Sequence, residues 1–455
     1  MMRLGLERAQ HLLAHTAMPW NPIHVAGTNG KGSVCAYISE MLNIYNRSEY
    51  RKKTGQTIIK HGRFTSPHLI DRWDCVSLSN PERDHCEMRT VSQTMFEELD
   101  KKVLLRDRSQ RINATEFELL TATAFSCFSR AGLDIAVVET GMGGRLDATN
   151  IIGRRKKATS ELRLRRMPLV TTITKIGMDH QAFLGDTISA IAREKAGILK
   201  AQVPVVYDAS NPDEAIRVII KTAQRARCKH IIPAGDRVMV KHHRRQNTAI
   251  AFESTYRALV GLGRIPELLE EHIEEHDELV ERMKEVYQHV RFPGRLEYVD
   301  IGPLVGGKHE VLLDGAHNAQ SAEVLAGEVD GLVRVVHSAR SKNITWVLAA
   351  SDGKDIASIL SIIIRPGDSV FAVEFGPVAG MPWVQPMKAS TILSHLQTSE
   401  SPPSPGQIQE DCGDSLTAGI QKAAAHSRET GNGMVMAGSL YLVGDVHRLL
   451  RNAKE

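Results

Sequence analysis

Residues Ile23 to Tyr37 read IHVAGTNGKGSVCAY, and no other stretch of the chain limits the fold as strongly. The short run Ile23 to Ala26 predicts a buried parallel strand, and helix-forming sequence resumes after Ser33. Between them lies Gly27-Thr28-Asn29-Gly30-Lys31-Gly32-Ser33. The glycines let the backbone come close to a phosphate and turn successive N–H groups into a concavity. The helix N-terminus adds partial positive charge, Lys31 adds a full one, and Ser33 is within reach of a phosphate oxygen or Mg²⁺. The usual pattern sets Ser or Thr directly after the lysine, whereas Gly32 intervenes here. A plain glycine turn is the alternative. The strand–turn–helix setting favours a nucleotide-phosphate site.

The 455 residues suffice for two or three domains with more than one sizeable core. Hydrophobic residues make up 42% and charged residues 24%, the balance of an ordinary soluble globular protein. A net charge of +4 gives no reason to expect a nucleic-acid partner. No stretch approaches the roughly 18 consecutive apolar residues of a membrane span, so no membrane partner is expected. MMRLGLERAQHLL has an amphipathic helical pattern and neither a secretory signal nor a clear presequence. The expectation is a cytoplasmic protein, with a mitochondrial pool left open. The 6 cysteines show no metal spacing, which fits reduced thiols.

Along the chain, helices are expected over Leu4–His15 and Val34–Tyr45. Residues 46–63 form a polar, basic stretch read as a surface connection. A helix over Ala114–Ser129 has Thr115 or Asn113 as its cap. DIAVVE, Asp134 to Glu139, predicts a buried strand with a carboxylate at its C-terminal end, followed by the glycine-rich turn GMGGRLDATN. The Arg/Lys-rich stretch 153–167 reads as a solvated loop. A strand over Leu169–Ile176 leads to Asp179-His180, a helix spans Ile188–Ile198, and Val203–Tyr207 is another strand. Alternation of strands and helices predicts a mostly parallel, doubly wound sheet, whose ligands lie at the C-terminal ends of the strands. Gly27, Glu139 and Asp179 all fall at such ends. Residues 264–290 read as one acidic helix with a solvated face. Phe292-Pro293-Gly294-Arg295 breaks it, which places the domain boundary between 1–292 and 293–455. Four strands beyond it (Val311–Leu313, Thr345–Ala350, Val370–Val373, Met434–Ala437) predict a smaller Rossmann-like α/β domain. Residues 398–407 are a Pro/Ser-rich loop.

The segments GTNGKGS, FTSPHL, ATEFELLTATAF, VVETGMGGRLDATN, ITKIGMDHQAFLG, IAREKAGI, FPGRLE, LLDGAHN and GSLYLVG occur in this order. The series resembles the folylpolyglutamate synthase/dihydrofolate synthase family of Mur-ligase-like enzymes, over nearly the whole chain. TEFELLT and Gly380-Met381-Pro382-Trp383 look most like the fungal-type dihydrofolate synthases.

The resemblance implies a P-loop ATP-binding domain, 1–292, and a C-terminal glutamate-ligase domain, 293–455. It implies ATP- and Mg²⁺-dependent joining of L-glutamate to 7,8-dihydropteroate through an acyl phosphate, or extension of the glutamyl tail of tetrahydrofolate, or both. Phosphate is a far better leaving group than a carboxylate oxygen, which is the chemical use of the ATP. Gly30, Lys31, Gly32 and Ser33 match the residues that hold the ATP phosphates. Ser66, Glu139 and His180 match Mg²⁺ ligands, and Lys195 matches a lysine carried as a carbamate that binds a second ion. Arg295, Asp314 and His317 match nucleotide contacts of the linker and second domain, and Asn247 an adenine contact. Lys31, Lys195 and His317 are the catalytic set. Leu4, Gly5, Leu6 and Glu7, with Thr115, Glu116, Phe117 and Glu118 and with Leu146, Asp147 and Ala148, match the segments lining the pterin pocket. A monomer with small-molecule substrates only is expected. Residues 46–63 depart from the family in being long and basic, and only Gln246-Asn247 remains of its Gly-x-x-Gln-x-x-Asn pattern.

Taken alone, most of these residues have plainer readings. Ser66 before Pro67 suits a turn, a strand-end Glu suits a salt bridge, and a lone His is usually structural. Lys195 suits a helix-surface ion pair, and Asp314 suits an Asx-turn. A GTPase would need Asp soon after Thr174-Lys175, and the first follows only at 179. An inactive nucleotide-binding homologue remains the other alternative.

Overall fold

The computed structural model describes residues 5–14, 16–80, 87–153, 166–235, 243–267, 274–290, 292–337, 342–397 and 407–453. They form two compact units, Met1–His68 with Trp73–Val290, and Leu69–Arg72 with Arg291–Glu455.

The first unit holds an eight-stranded sheet: β1 (Asn21–Ala26), β2 (His61–Phe64), β3 (Val76–Ser79), β4 (Met88–Thr90), β5 (Ile135–Glu139), β6 (Val170–Ile173), β7 (Val205–Asp208) and β8 (Ile231–Ala234). Their order is β4-β3-β2-β5-β1-β6-β7-β8. From β2 to β8 the neighbours pair in parallel, while β3 and β4 add an antiparallel edge. Side chains alternate across the sheet, as a period of two requires. Ile23, Val25, Ile135 and Val137 face a core shared with the helices Lys31–Arg47 and His243–Gly261. On the other face, Ala136 and Val138 join the helices Gln93–Gln110 and Glu116–Ala131. Ala26 and Ile173 join the helices Ile188–Lys195 and Asp213–Ala226. The expected doubly wound sheet is thus present, with helices on both sides.

Several expected segments differ in detail. The N-terminal helix spans Glu7–Leu12. The stretch 46–63 is more than a surface connection. The helix after the phosphate loop continues to Arg47, and Ser48 caps a further helix, Glu49–Lys53, by accepting from Arg51 N at 3.1 Å. Asn46 and Ile59 exchange two hydrogen bonds of 2.9 Å. Arg51 donates to the carbonyls of Asn46 (2.7 Å) and Gln56 (2.8 Å). The basic character therefore includes a guanidinium that ties backbone together, and such side-chain-to-backbone bonds leave no periodic trace in sequence. The acidic helix appears as Glu274–Lys284 and Val286–His289. Most of the 153–167 and 398–407 stretches lies outside the described residues.

The second unit holds β9 (Glu297–Asp300), β10 (Glu310–Leu313), β11 (Ile344–Leu348), β12 (Ser369–Ala372), β13 (Gln409–Asp411) and β14 (Gly433–Ala437), in the order β13-β12-β11-β14-β10-β9. All pair in parallel except β9 with β10. The four expected strands are β10, β11, β12 and β14; β9 and β13 are added edges. Leu69–Arg72, which a linear division of the chain leaves with the first domain, belongs to this unit. Arg448 donates to Ile70 O (3.2 Å), and Arg451 pairs with Asp71 at 2.6 Å. A Cβ on Gly444 would stand 2.0 Å from Leu69 O. Among the described residues no helix is long and apolar enough to cross a membrane.

Candidate active site

Because β1, β5 and β6 are parallel neighbours, the segments after them leave the sheet at one edge. Val25 stands opposite Glu139, and Ala26 opposite Ile173. The phosphate loop leaves β1 and is held from both sides. Thr28 N and Asn29 N donate to Lys175 O (2.8 and 3.1 Å), and Thr174 Oγ1 donates to Asn29 O (2.8 Å). The Thr28 hydroxyl bonds both N and O of Gly177 at 3.0 Å. A Cβ at Gly27 would meet Thr174 Oγ1 at 1.8 Å, so only glycine permits this approach. The helix begins at Lys31, three residues earlier than the apolar pattern indicates, and Gly30 precedes it with φ +83°.

Lys31 Nζ donates to Thr28 O (3.2 Å) and lies 3.8 Å from Glu139 Oε1. Glu139 is buried, and its Oε2 accepts from Ser66 N at 3.2 Å. Thus Lys31, Ser66 and Glu139, from three separate segments, meet at one strand tip. Lys195 ends its helix buried, with Nζ donating to Gly27 O at 2.7 Å. Burial first, then the charge of Lys31, lowers its pKa from the ordinary 10.5 to about 7; Asp179 and Asp147 oppose the shift. Asp179 therefore lies in electrostatic range of Lys195. His180 has φ +52° and is the more exposed partner of Asp179, its Nε2 being 3.9 Å from Asp179 Oδ2. Ser33 sits partly exposed in the first turn of its helix.

Asn247 reaches the same loop from the helix His243–Gly261: a Cβ on Gly30 would stand 2.6 Å from its Oδ1. Gln246 is tied to Asp208 Oδ1 (2.6 Å) and Ala234 O (3.1 Å). Gly30→Ala would combine that clash with a left-handed backbone. The expected result is a stability loss of about 1–2 kcal/mol in thermal unfolding, with ATP affinity lowered at least tenfold by isothermal titration.

The segments matched to a pterin pocket also converge. Leu6 and Ala148 belong to one apolar core, with Phe117 packed against it. Phe117 stacks on Phe64 at 6.1 Å and covers Gly141. Thr115 caps its helix in a capping box with Glu118, whose Oε2 accepts from Thr115 N (2.7 Å) and Arg8 Nε (2.8 Å). Oε2 of Glu118 is thus engaged within the protein, and Arg8 is a neighbour that the sequence motifs left out. Asp147 is buried and accepts from Thr149 N, Thr149 Oγ1 and Met142 N at 3.0, 2.5 and 2.9 Å. Burial pushes its carboxyl up, against these hydrogen bonds. Leu146, Glu116 and Gly5 are partly exposed and Glu7 is exposed; Leu4 lies outside the described residues.

In the second unit, Asp314 follows β10 and turns the chain. Its carboxylate accepts from Leu296 N (2.7 Å) and Ala316 N (2.8 Å), and burial raises its pKa while Arg295 lowers it. A Cβ on Gly315 would stand 2.5 Å from Arg295 Nη1. His317 Nδ1 is 2.8 Å from Gly315 O. A carbonyl only accepts, so Nδ1 carries a proton. Arg295, Asp314 and His317 therefore share one strand tip of this unit.

Among the described residues no three His, Cys, Asp or Glu side chains cluster as a metal site. Around the glycine-rich loop stand the buried Glu139 carboxylate, the Ser66 segment and the buried Lys195, with His180 beside Asp179. That set suits Mg²⁺, which keeps waters and takes most other ligands from phosphates.

A glycine-rich loop between strand and helix on a largely parallel sheet, with a second α/β unit following in the chain, is the architecture of the Mur-ligase-like ligases. E. coli FolC in complex with DHPP and ADP superposes with a TM-score of 0.70, covering 100% of this chain and 95% of that one at 22% identity. The family profile described as dihydrofolate synthetase, C-terminal domain, matches residues 297–450. The probable dihydrofolate synthetase of Schizosaccharomyces pombe is 34% identical over 461 residues, 99% of each chain. The dihydrofolate synthetase of Saccharomyces cerevisiae is 30% identical over 475 residues, 98% of each. The chain belongs to the dihydrofolate synthase/folylpolyglutamate synthase family.

Proposed function

We propose that the protein joins L-glutamate to 7,8-dihydropteroate at the expense of ATP, giving 7,8-dihydrofolate, ADP and phosphate. The observation that carries this reading is the meeting of Lys31, Ser66 and Glu139 at the tip of β1 and β5, with Lys195 anchored on the carbonyl of Gly27. The residues 1–292 are read as the ATP-binding domain and 293–455 as the glutamate-ligase domain. Gly30, Lys31, Gly32 and Ser33 hold the phosphates, and Asn247 supports the nucleotide from across the loop. Lys31 sets its charge against the phosphoryl oxygens, where catalysis of this kind is mainly positioning and electrostatic stabilisation. Ser66, Glu139 and His180 would hold Mg²⁺, which supplies charge neutralisation to the phosphates. Lys195, as a carbamate, would hold a second ion. A neutral amine is required for CO₂ to add, and the depressed pKa supplies one at physiological pH.

The acceptor carboxylate attacks the γ-phosphorus, ADP leaves, and the glutamate amine then displaces phosphate from the acyl carbon. Arg295, Asp314 and His317 are read as further nucleotide contacts. The apolar surroundings of Leu6, Phe117 and Ala148 suit an aromatic pterin, with Leu4, Gly5, Glu7, Thr115, Glu116, Glu118, Leu146 and Asp147 around it. The relatives at 34% and 30% identity carry dihydrofolate synthetase names, which supports dihydropteroate as acceptor. A cytoplasmic monomer acting on small molecules completes the reading.

The test is glutamate-dependent ADP release, with dihydropteroate and then tetrahydrofolate as acceptor, in the presence of Mg²⁺ and bicarbonate. Turnover with dihydropteroate is expected. Turnover with tetrahydrofolate alone would replace this reading by folylpolyglutamate synthesis, and none with either would leave an inactive homologue.

A further inference from the structure

His24 lies on β1, three residues before the phosphate loop, and its ring is completely buried. Its neighbours in the strand, Ile23 and Val25, face the opposite core, so the imidazole turns toward the segment that follows β5. There its Nε2 is 2.9 Å from Thr149 Oγ1. The same hydroxyl is 2.5 Å from Asp147 Oδ1, which also accepts from Thr149 N at 3.0 Å, while Oδ2 accepts from Met142 N at 2.9 Å. Three donors point at the Asp147 carboxyl oxygens, so Asp147 accepts in each of these bonds, although burial raises its pKa. The single Thr149 proton is therefore committed to Asp147, and His24 Nε2 must be the donor to Thr149. Its Nδ1 has no partner among the described residues, so a proton there would be a buried unsatisfied donor. The ring is neutral with Nε2 protonated. Burial and the nearby Lys200 charge both hold its pKa well below the ordinary value, which keeps the ring neutral.

We propose that His24 is a positioning residue for the acceptor pocket: through Thr149 it orients the Asp147 carboxylate and so fixes the turn Gly141–Ala148. The relay reaches both arms of that turn, because Asp147 holds Met142 N on one side and starts the 3₁₀ turn Ala148–Ile151 on the other. Asn150 extends the clamp by donating to Arg145 O (3.0 Å) and Gly197 O (3.1 Å), and Lys200 donates to Asn150 Oδ1 at 2.5 Å. The phosphate loop's own strand thereby sets the far wall of the pocket in which we place the acceptor. The inference rests on the pterin reading of that pocket for its kinetic consequence, although the relay itself does not.

Two measurements on the full-length protein separate these. In initial-rate kinetics, His24→Leu is expected to raise KM for dihydropteroate about tenfold, with KM for ATP unchanged. His24→Gln, whose amide nitrogen can take the place of Nε2, is expected to stay within about threefold of wild type. Thr149→Val is expected to reproduce His24→Leu, and the double variant to be no worse than either single. Equal impairment by the Gln and Leu variants, or parallel rises in both KM values, would overturn the proposal. Imidazole ¹H–¹⁵N correlation spectra provide the second readout. An Nε2-protonated ring with a slowly exchanging proton that becomes fast in Thr149→Val supports the relay, and an Nδ1-protonated ring refutes it. If wild type turns over neither pterin, the functional reading fails, and the spectra still decide on the relay.

Discussion

Lys31→Ala is expected to lower glutamate-dependent ADP release by about 10³-fold, with the acceptor KM changed far less. The reason is positional. Lys31 opens the helix that follows the phosphate loop, and its ammonium is held on Thr28 O at the mouth of that loop. Gly27–Ser33 holds no second lysine, and arginine brings a wider planar head into a space shaped by glycines. Two secondary effects distinguish this role from a structural one. Glu139 is buried 3.8 Å from Lys31 Nζ, so removing the cation leaves a carboxylate less compensated, and a stability loss of roughly 2 kcal/mol is expected in denaturant unfolding. Lys31 also helps to drive the proton off Lys195. Without it, the Lys195 pKa rises, and the pH profile of the residual activity should move to higher pH. Retention of more than a tenth of the wild-type rate would remove the phosphate cradle from the mechanism.

What could be read in advance from the residues was local. The run before Gly27, the close approach that glycine alone allows, and the acid at the end of DIAVVE each express a constraint carried by neighbouring residues, and β1, β5 and the loop follow. The Thr115 cap is of the same kind. Long-range placements were legible only through the ordered motifs. Nothing near Asn247 signals that it stands against Gly30, and nothing in FTSPHL signals that Ser66 N meets Glu139. Other features had no sequence signal. The short edge strands β3 and β4 alternate too weakly to register, and Leu69–Arg72 changes units because Gly444 leaves room for its carbonyl. Thr174, Lys175 and Gly177 lie within the motif ITKIGMDHQAFLG, but that they brace the phosphate loop through backbone and hydroxyl bonds is visible only in the structure.

Lys195→Met is expected to abolish most turnover, by about 10²-fold or more, while making the protein more stable. The sign follows from the pKa. Lys195 titrates near 7 when folded and near its ordinary 10.5 when unfolded. Between those values the unfolded chain binds the extra proton, so wild-type stability rises with pH from about 7 to about 10.5, and below 7 the cost of a buried ammonium is fully present. Methionine fills a similar volume without a charge, so the gain in melting temperature should be largest at pH 6 and fade toward pH 10. Activity has its own pH test. Only the neutral amine takes up CO₂, so wild-type turnover should climb through about pH 7, fall after exhaustive removal of CO₂, and return on adding bicarbonate. Lys195→Ala should be deaf to bicarbonate yet recover in part with millimolar formate or acetate, which can place a carboxylate where a carbamate would stand. A Lys195→Ala variant that responds to bicarbonate like wild type would rule the carbamate out. A Lys195→Met variant with unaltered turnover would confine this lysine to its bond with Gly27 O, as a brace for the phosphate loop and nothing more.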